Sequence, residues 1–311
     1  MSTLTDAIES GDRRAVARLI TKLENRIPSA YTDLAALFPH TGTAKVIGIT
    51  GAPGVGKSTL VDRIVALIRA ASHSCAVLAV DPSSPISGGA LLGDRIRMPE
   101  HAVDDGVFIR SMSARGTLGG LAPTAWAAVH VLDAGKYEFV LLETVGVGQS
   151  EIAVAGAADL VVLVMTPDLG DSVQTLKAGV LEVADVIVLN KSDGPAASRA
   201  LRELRAIVDG AAQQPVSILQ TVGLDGTGVD GLWFELQSLL ASFAASGELM
   251  RRRSARLRGE LIRSLDEALR TDVLSAIVAD PQFCSALTEV AGRRVDPVSA
   301  ARLLLASLGH Y

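Results

Sequence analysis

Between positions 45 and 220, the chain alternates short runs of consecutive apolar residues with longer segments whose apolar residues recur every three or four positions. The continuous runs predict strands that are buried on both faces, and the periodic segments predict amphipathic helices. We predict strands at 45–50, 75–80, 107–111, 139–142, 160–165, 186–189 and 216–219. This alternation indicates an α/β fold with a mainly parallel sheet flanked by helices.

Helical patterns flank this region on both sides. In residues 1–43, Leu4 and Ile8 share one helix face, Asp12 can cap a second helix, and a third short helix is expected at about 31–38 after Pro28. We therefore expect a helical N-terminal arm at 1–43, a central α/β domain at 44–245 and a helical C-terminal region at 246–311.

The C-terminal region opens with three consecutive arginines at 251–253. The leucines that follow recur every four residues, which predicts a long amphipathic helix: Leu257, Leu261, Leu265 and Leu269. We interpret the arginines as a solvated face. A few helices bury little surface alone, so this region is expected to pack on the central domain or on another chain.

A glycine-rich loop after the first predicted strand carries the clearest chemistry. It fits G-x-x-x-x-G-K-[ST] and leads into a helix from Thr59; its residues are Gly51, Ala52, Pro53, Gly54, Val55, Gly56, Lys57 and Ser58. Backbone N–H groups of such a P-loop surround phosphate oxygens, and the helix N-terminus adds positive potential. We expect Lys57 to reach the β- and γ-phosphates as a catalytic residue, and Ser58 to hold Mg²⁺.

Acidic residues after two further strands are candidates for the same Mg²⁺. Asp81 follows the second strand, with Asp94 later in the same loop, and Glu143 follows the fourth strand. Magnesium in such sites is held by few carboxylates and several waters. Asp81, Asp94 and Glu143 are therefore predicted metal ligands, with Glu143 also in a catalytic role.

The sequence after Glu143 departs from the pattern of Ras. Glu143 and Gly146 form E-x-x-G, where many P-loop GTPases sense the γ-phosphate. The next residue is Val147 rather than the water-positioning Gln of Ras, and Gln149 comes two residues later. We therefore expect slow intrinsic hydrolysis that a partner stimulates.

An N-K-x-D motif after the sixth strand indicates guanine recognition. The Asp193 carboxylate can accept hydrogen bonds from guanine N1–H and its 2-amino group, a donor pair that adenine lacks. Asn190 would brace the loop, and Lys191 would lie over the base. After the seventh strand, backbone contacts with guanine O6 are expected from three residues: Val222, Gly223 and Leu224. Together these motifs predict binding of GTP and GDP with Mg²⁺.

The composition of the chain argues against some classes of binding partner. The chain has 311 residues, is 49% hydrophobic and carries a net charge of -5, which argues against a nucleic-acid or membrane surface. The N-terminus does not resemble a signal peptide, and no apolar stretch approaches a membrane span, so we expect a cytoplasmic protein. The two cysteines form no CxxC pair, which argues against a disulfide framework.

These motifs together resemble the MeaB/ArgK/MMAA family, the methylmalonyl-CoA-mutase-associated GTPases. The resemblance covers nearly the whole chain through the segments GAPGVGKST, AVDPSSPISGGALLGDRIRM, SARGTLGGL, ETVGVGQSE, NKSD and GTGVDGLW. One departure is Val222-Gly223, where the family usually has Ser-Ala, so a hydroxyl is lost.

The resemblance implies a P-loop GTPase that forms a homodimer through its C-terminal helices. Its client would be an adenosylcobalamin-dependent acyl-CoA mutase, whose cofactor loading it gates and which it protects from inactivation. Asp81, Asp94 and Glu143 would surround the metal. Lys177, in an additional switch at 166–177, would report the partner-bound state.

Three alternatives remain open at this stage. A GTPase that inserts metal into another enzyme would normally show clustered ligands, but the five histidines form no short-range cluster. A small-molecule kinase would need an acceptor pocket that no motif indicates. A nucleotide-dependent scaffold would not accelerate hydrolysis on meeting a mutase. The sequence also does not distinguish methylmalonyl-, isobutyryl- and ethylmalonyl-CoA mutases as clients.

Overall fold

A computed structural model describes residues 3–81, 98, 101, 103–113, 123–144, 154, 156–167, 183–211, 216–269 and 274–307. The chain divides into two compact units, Met1–Arg256 and Leu257–Tyr311. The predicted three-part division at 43 and 245 stays a prediction.

The first unit is built on a seven-stranded sheet in the order β3-β2-β4-β1-β5-β6-β7. Every neighbouring pair is parallel, which confirms the predicted α/β fold. The strands are β1 Lys45–Thr50, β2 Cys75–Asp81, β3 Val107–Ser113, β4 Phe139–Thr144, β5 Leu160–Met165, β6 Val186–Leu189 and β7 Ser217–Gln220. Parallel strands place their carboxyl ends at one edge, where ligands bind in such folds.

Strand β4 is longer than predicted, and this changes the position of Glu143. The prediction ended the strand at Leu142, whereas the ladder continues with Glu143 opposite Ile49 of β1 and Ala79 of β2. Backbone pairing with strands on both sides overrides the low strand propensity of a carboxylate. Glu143 is therefore a buried strand residue rather than part of the following loop.

Eight α-helices begin in the described part of the first unit, besides a 3-10 helix at Phe38–His40. Their bounds are α1 Thr3–Glu9, α2 Arg13–Glu24, α3 Pro28–Leu37, α4 Lys57–Ala70, α5 Pro123–Ala134, α6 Ala197–Ala211, α7 Val229–Ser246 and α8 Glu248–Ala268. Asp12 caps α2 as predicted, accepting hydrogen bonds from the N–H groups of Arg14 and Ala15. Helix α3 begins earlier than predicted because proline fits the first turn of a helix, where its missing N–H is not needed.

Helices cover both faces of the sheet, which explains the continuous apolar runs. One face packs with the N-terminal helices and α5, so that Ile8 and Leu19 share a core with Leu142. The other face packs with α4 and α7, through residues such as Ile64 and Leu236. The N-terminal helices are therefore part of the same hydrophobic core as the sheet.

Both cysteines, Cys75 and Cys284, are free thiols, as the lack of a CxxC pair predicted. Burial raises the pKa of the Cys75 thiol to about 12. Such a thiol stays protonated near neutral pH and acts as a small apolar core residue.

The interpretation of the arginine run as a solvated face is wrong for two of its three members. Arg251 is 72% exposed, but Arg253 is only 14% exposed and pairs with Asp159, whose side chain is 0% exposed, at 2.9 Å. Arg252 pairs with Asp185 at 2.7 Å. Burial acts to lower the pKa of Arg252, but hydrogen bonds to carboxylates outweigh it and the pKa is raised. These two arginines are partly buried and pair with carboxylates at the amino edge of the sheet, where a buried charge without a partner would be costly.

The second unit contains α9 Leu274–Ala279, α10 Pro281–Ala291 and α11 Pro297–Ser307. Helix α10 begins at Pro281 after an Asp280 cap, with the Asp280 carboxylate accepting the Gln282 N–H at 2.8 Å. No residue of α10 is buried. Among the described helices of the chain, none combines the length and apolar character that crossing a membrane requires.

Candidate nucleotide site

The predicted glycine loop joins β1 to α4 at the carboxyl edge of the sheet. Gly51, Gly54 and Gly56 have φ values of 140°, 80° and 93°, which residues with a side chain rarely adopt. A Cβ at Gly51 would lie 2.1 Å from the carbonyl oxygen of Val164 in β5. The loop therefore follows a path that only glycine permits, pressed against a neighbouring strand.

Lys57 lies inside this loop. Its side chain is buried, and its Nζ donates to the carbonyl oxygens of Gly51 at 2.8 Å and Ala52 at 2.9 Å. Helix α4 begins at Lys57 itself, two residues earlier than the expected Thr59. An ammonium group donates three hydrogen bonds and accepts none, so phosphate oxygens would compete with these carbonyls for it.

Ser58 and Glu143 bring two predicted metal ligands together. The Ser58 hydroxyl donates to the Glu143 carboxylate. Beside them, the Thr144 hydroxyl donates to the Thr50 hydroxyl at 3.0 Å. Mg²⁺ prefers oxygen ligands at a small number of protein positions, and this donor set suits it.

The structure gives less information about the other predicted residues of the metal and switch regions. The backbone of Asp81 ends β2, next to β4, and pairs with Ser113. Asp94 and Lys177 lie outside the described residues. Among the residues that are described, no group of three or more His, Cys, Asp and Glu side chains can hold a metal ion.

Asn190 connects the two ends of the site. It is buried, and its side-chain amide donates from Nδ2 to the Val55 carbonyl of the glycine loop at 2.8 Å. Its Oδ1 accepts the Thr221 hydroxyl and the Gly223 N–H, each at 3.0 Å. The glycine loop and the loop after β7 are thus joined through one side chain.

The remaining N-K-x-D residues lie between these two loops. Lys191 has a φ of 58°, and its Nζ donates to the Gly54 carbonyl at 2.9 Å. The Ser192 N–H donates to the Thr221 carbonyl at 3.1 Å, and Asp193 is exposed. The Asp193 carboxylate is therefore accessible to a base that enters beside the glycine loop.

One contributor to the site carries no motif. Arg63, on α4, donates from Nη2 to the Leu224 carbonyl at 2.5 Å and from Nε to the Gly223 carbonyl at 3.3 Å. These partners are 160 and 161 residues away in sequence. The only sequence feature that links Arg63 to the site is its position on the helix that follows the P-loop, and that position alone does not predict a contact.

Comparison with known proteins identifies the family. The sequence model described as "Methylmalonyl Co-A mutase-associated GTPase MeaB" matches residues 16–278. A protein of Pyrococcus horikoshii is 42% identical over 308 residues, covering 97% of this chain and 96% of the relative. GTPase ArgK of Escherichia coli is 35% identical over 299 residues, covering 91% and 88% of the two chains.

A solved structure gives the same fold. The crystal structure of a protein called LAO/AO transport system kinase superposes with a TM-score of 0.72 and 25% identity, covering 98% of this chain and 96% of that one. The mouse methylmalonic aciduria type A homolog is 38% identical over 214 residues, covering 67% of this chain and 52% of the relative. From the motifs, the parallel sheet and these matches, the chain is a P-loop GTPase that belongs to the MeaB family of methylmalonyl-CoA-mutase-associated GTPases.

Proposed function

We propose that this protein is a GTP-hydrolysing chaperone of an adenosylcobalamin-dependent acyl-CoA mutase, with methylmalonyl-CoA mutase as the first candidate. The observation that carries the proposal is the family match over residues 16–278. In this role the GTPase gates loading of the cofactor and protects the mutase from inactivation.

The phosphates would bind in the glycine loop. Lys57 transfers its hydrogen bonds from the carbonyls of Gly51 and Ala52 to the β- and γ-phosphates. This exchange needs little movement because the ammonium already lies in the loop. The helix N-terminus at Lys57 adds a favourable potential for the same anion.

The metal would bind beside Ser58 and Glu143. The Ser58 and Glu143 oxygens, which share a hydrogen bond here, would hold it, and Asp81 and Asp94 would complete the proposed set together with waters. Mg²⁺, when bound, neutralises charge that develops on the transferred phosphoryl group. Lys177 is proposed to respond to the bound partner and so to link the mutase to hydrolysis.

The guanine base would be read by Asp193 from N1–H and the 2-amino group. Asn190 supports this by holding the glycine loop and the loop after β7 at a fixed separation. Adenine offers no such donor pair, so the site is proposed to select GTP over ATP.

Dimerisation would use the C-terminal helices. In the second unit, Leu261 and Leu265 are 70% and 58% exposed, at the four-residue spacing of one helix face. Contiguous exposed leucines are typical of an association surface. Light scattering should report a dimer, and Leu261→Asp with Leu265→Asp should give a monomer. A monomeric parent chain would contradict this part of the proposal.

Binding to candidate clients tests the chaperone role. The purified chain is mixed with methylmalonyl-, isobutyryl- and ethylmalonyl-CoA mutases, each with GDP or a non-hydrolysable GTP analogue, and complexes are measured by gel filtration and interferometry. We expect one mutase to bind with an affinity that depends on the nucleotide. An acyl-CoA enzyme without cobalamin is the control. Absence of binding to all three mutases in both nucleotide states would contradict the proposal.

A further inference from the structure

The loop after β7 is held by hydrogen bonds from two sides. Asn190 accepts the Gly223 N–H at 3.0 Å, and Arg63 donates to the carbonyls of Gly223 and Leu224 at 3.3 and 2.5 Å. The Leu224 side chain is 81% exposed. Apolar packing therefore does not fix Leu224 at the tip of the loop. The contacts of Asn190 and Arg63 act there beside the loop's own hydrogen bonds, which run from the Val222 N–H to the Thr227 carbonyl and from the Gly226 N–H to the Val222 carbonyl, each at 2.9 Å.

Because of the geometry of the peptide unit, the contact of Arg63 also determines the direction of a neighbouring N–H group. The Gly223 carbonyl and the Leu224 N–H belong to one planar peptide unit, and in a trans unit they point to opposite sides. No peptide bond in the described residues is cis. A guanidinium that binds the carbonyl therefore also sets the direction of the Leu224 N–H.

This N–H is available for a ligand, whereas its neighbour is not. Gly223 already donates its N–H to Asn190. Across the described ranges, the Leu224 N–H has no hydrogen-bond acceptor. The segment Val222-Gly223-Leu224 has no polar side chain, so only its backbone can form hydrogen bonds with a base.

We propose that Arg63 is a positioning residue for guanine recognition, which orients the Gly223–Leu224 peptide so that the Leu224 N–H donates to the 6-oxo group of the base. The inference rests on the proposed nucleotide site, in which Asp193 reads N1–H and the 2-amino group. It narrows the expected backbone contacts of Val222, Gly223 and Leu224 to the Leu224 N–H, and it adds to the site a residue from the P-loop helix.

The test compares GDP with 6-thio-GDP, whose sulfur is a poor acceptor at position 6 while the groups that Asp193 reads are kept. Affinities are measured by titration calorimetry for the parent chain, Arg63→Gln and Arg63→Lys. Arg205→Gln, at an exposed position of α6, is the control for loss of one positive charge.

We expect Arg63→Gln to weaken GDP binding about fivefold, the effect of one neutral hydrogen bond, and 6-thio-GDP binding by under about twofold. Arg63→Lys should recover part of the GDP affinity, because an ammonium reaches one carbonyl. Arg205→Gln should change the affinity for neither GDP nor 6-thio-GDP.

Equal losses for the two nucleotides would overturn the inference, since they would reflect charge or folding rather than the 6-oxo contact. Unchanged GDP affinity in Arg63→Gln would overturn it as well, while leaving the proposed function intact. If the parent chain bound ADP as tightly as GDP, both the inference and the proposed base recognition would fail.

Discussion

Replacing Arg253 by methionine removes the main partner of a fully buried carboxylate. Arg253 donates to Asp159 from Nε at 3.1 Å and from Nη2 at 2.9 Å. The same guanidinium also donates to the carbonyls of Gly42 and Ala44, in the linker before β1. The substitution therefore leaves a buried charge and two backbone carbonyls without these donors.

The expected loss of stability depends on the hydrogen bonds that Asp159 keeps after the substitution. Breaking a buried ion pair by removing one partner costs about 3–5 kcal/mol. Arg256 still donates to Asp159 at 3.1 Å, and the Val46 N–H donates at 3.0 Å. These two bonds place the expected loss at the lower end, at about 3 kcal/mol. At roughly 2–4 °C per kcal/mol for a unit of this size, the melting temperature should fall by about 6–12 °C.

Arg251→Met provides the matched control, two residues away on the same helix. Arg251 is 72% exposed and pairs with Glu248, and such an exposed pair adds little to stability because solvent screens it. Urea unfolding measures both variants, with the slope checked for a change in the surface exposed. Adding Asp159→Asn to Arg253→Met should recover part of the loss, because the buried charge is then removed. Equal stabilities of Arg253→Met and Arg251→Met would refute the reasoning.

Further substitutions test the nucleotide site and one titrating group. Lys57→Ala should abolish nucleotide binding or hydrolysis, measured with a fluorescent GDP and by phosphate release; turnover at the parent rate would exclude the proposed phosphate contact. Asp193→Asn should relax the preference for GTP over ATP by at least about tenfold, and an unchanged preference in competition assays would exclude its role. Hydrogen bonds from Arg251 and Arg252 lower the pKa of Glu248 to about 2 from its ordinary value of 4.5. Its contribution to stability should be present above pH 4.5 and be lost as the pH falls toward 2, and Glu248→Gln should lack this loss in pH-dependent unfolding.

Much of the fold could be predicted because two-sided burial is visible in the sequence. The strands Lys45–Thr50, Leu160–Met165 and Val186–Leu189 begin and end at the predicted residues. Where a polar residue such as Glu143 occupies a paired position, the run of apolar residues ends before the strand ends. The limit is physical, because backbone pairing on both sides outweighs the preference of one side chain.

The site was predictable only where its chemistry is local in the chain. The glycine loop is one continuous motif whose residues act through their own backbone. The contacts of Asn190 and Arg63 join segments 31 to 161 residues apart, and no spacing rule encodes them. The ion pairs of Arg252 and Arg253 were missed for the same reason: Asp159 and Asp185 precede other strands, and only the folded sheet brings them to α8.

The rate of GTP hydrolysis with and without the client mutase tests the proposed function most directly. Phosphate release is followed at saturating GTP while methylmalonyl-CoA mutase, or the mutase identified by binding, is added to excess, with ATP as the control nucleotide. We predict a slow basal rate that rises at least about tenfold with the mutase, since partner contacts can complete a GTPase site. A rate that stays unchanged at saturating mutase would contradict a mutase-stimulated GTPase, and equal turnover of ATP would contradict the proposed reading of guanine.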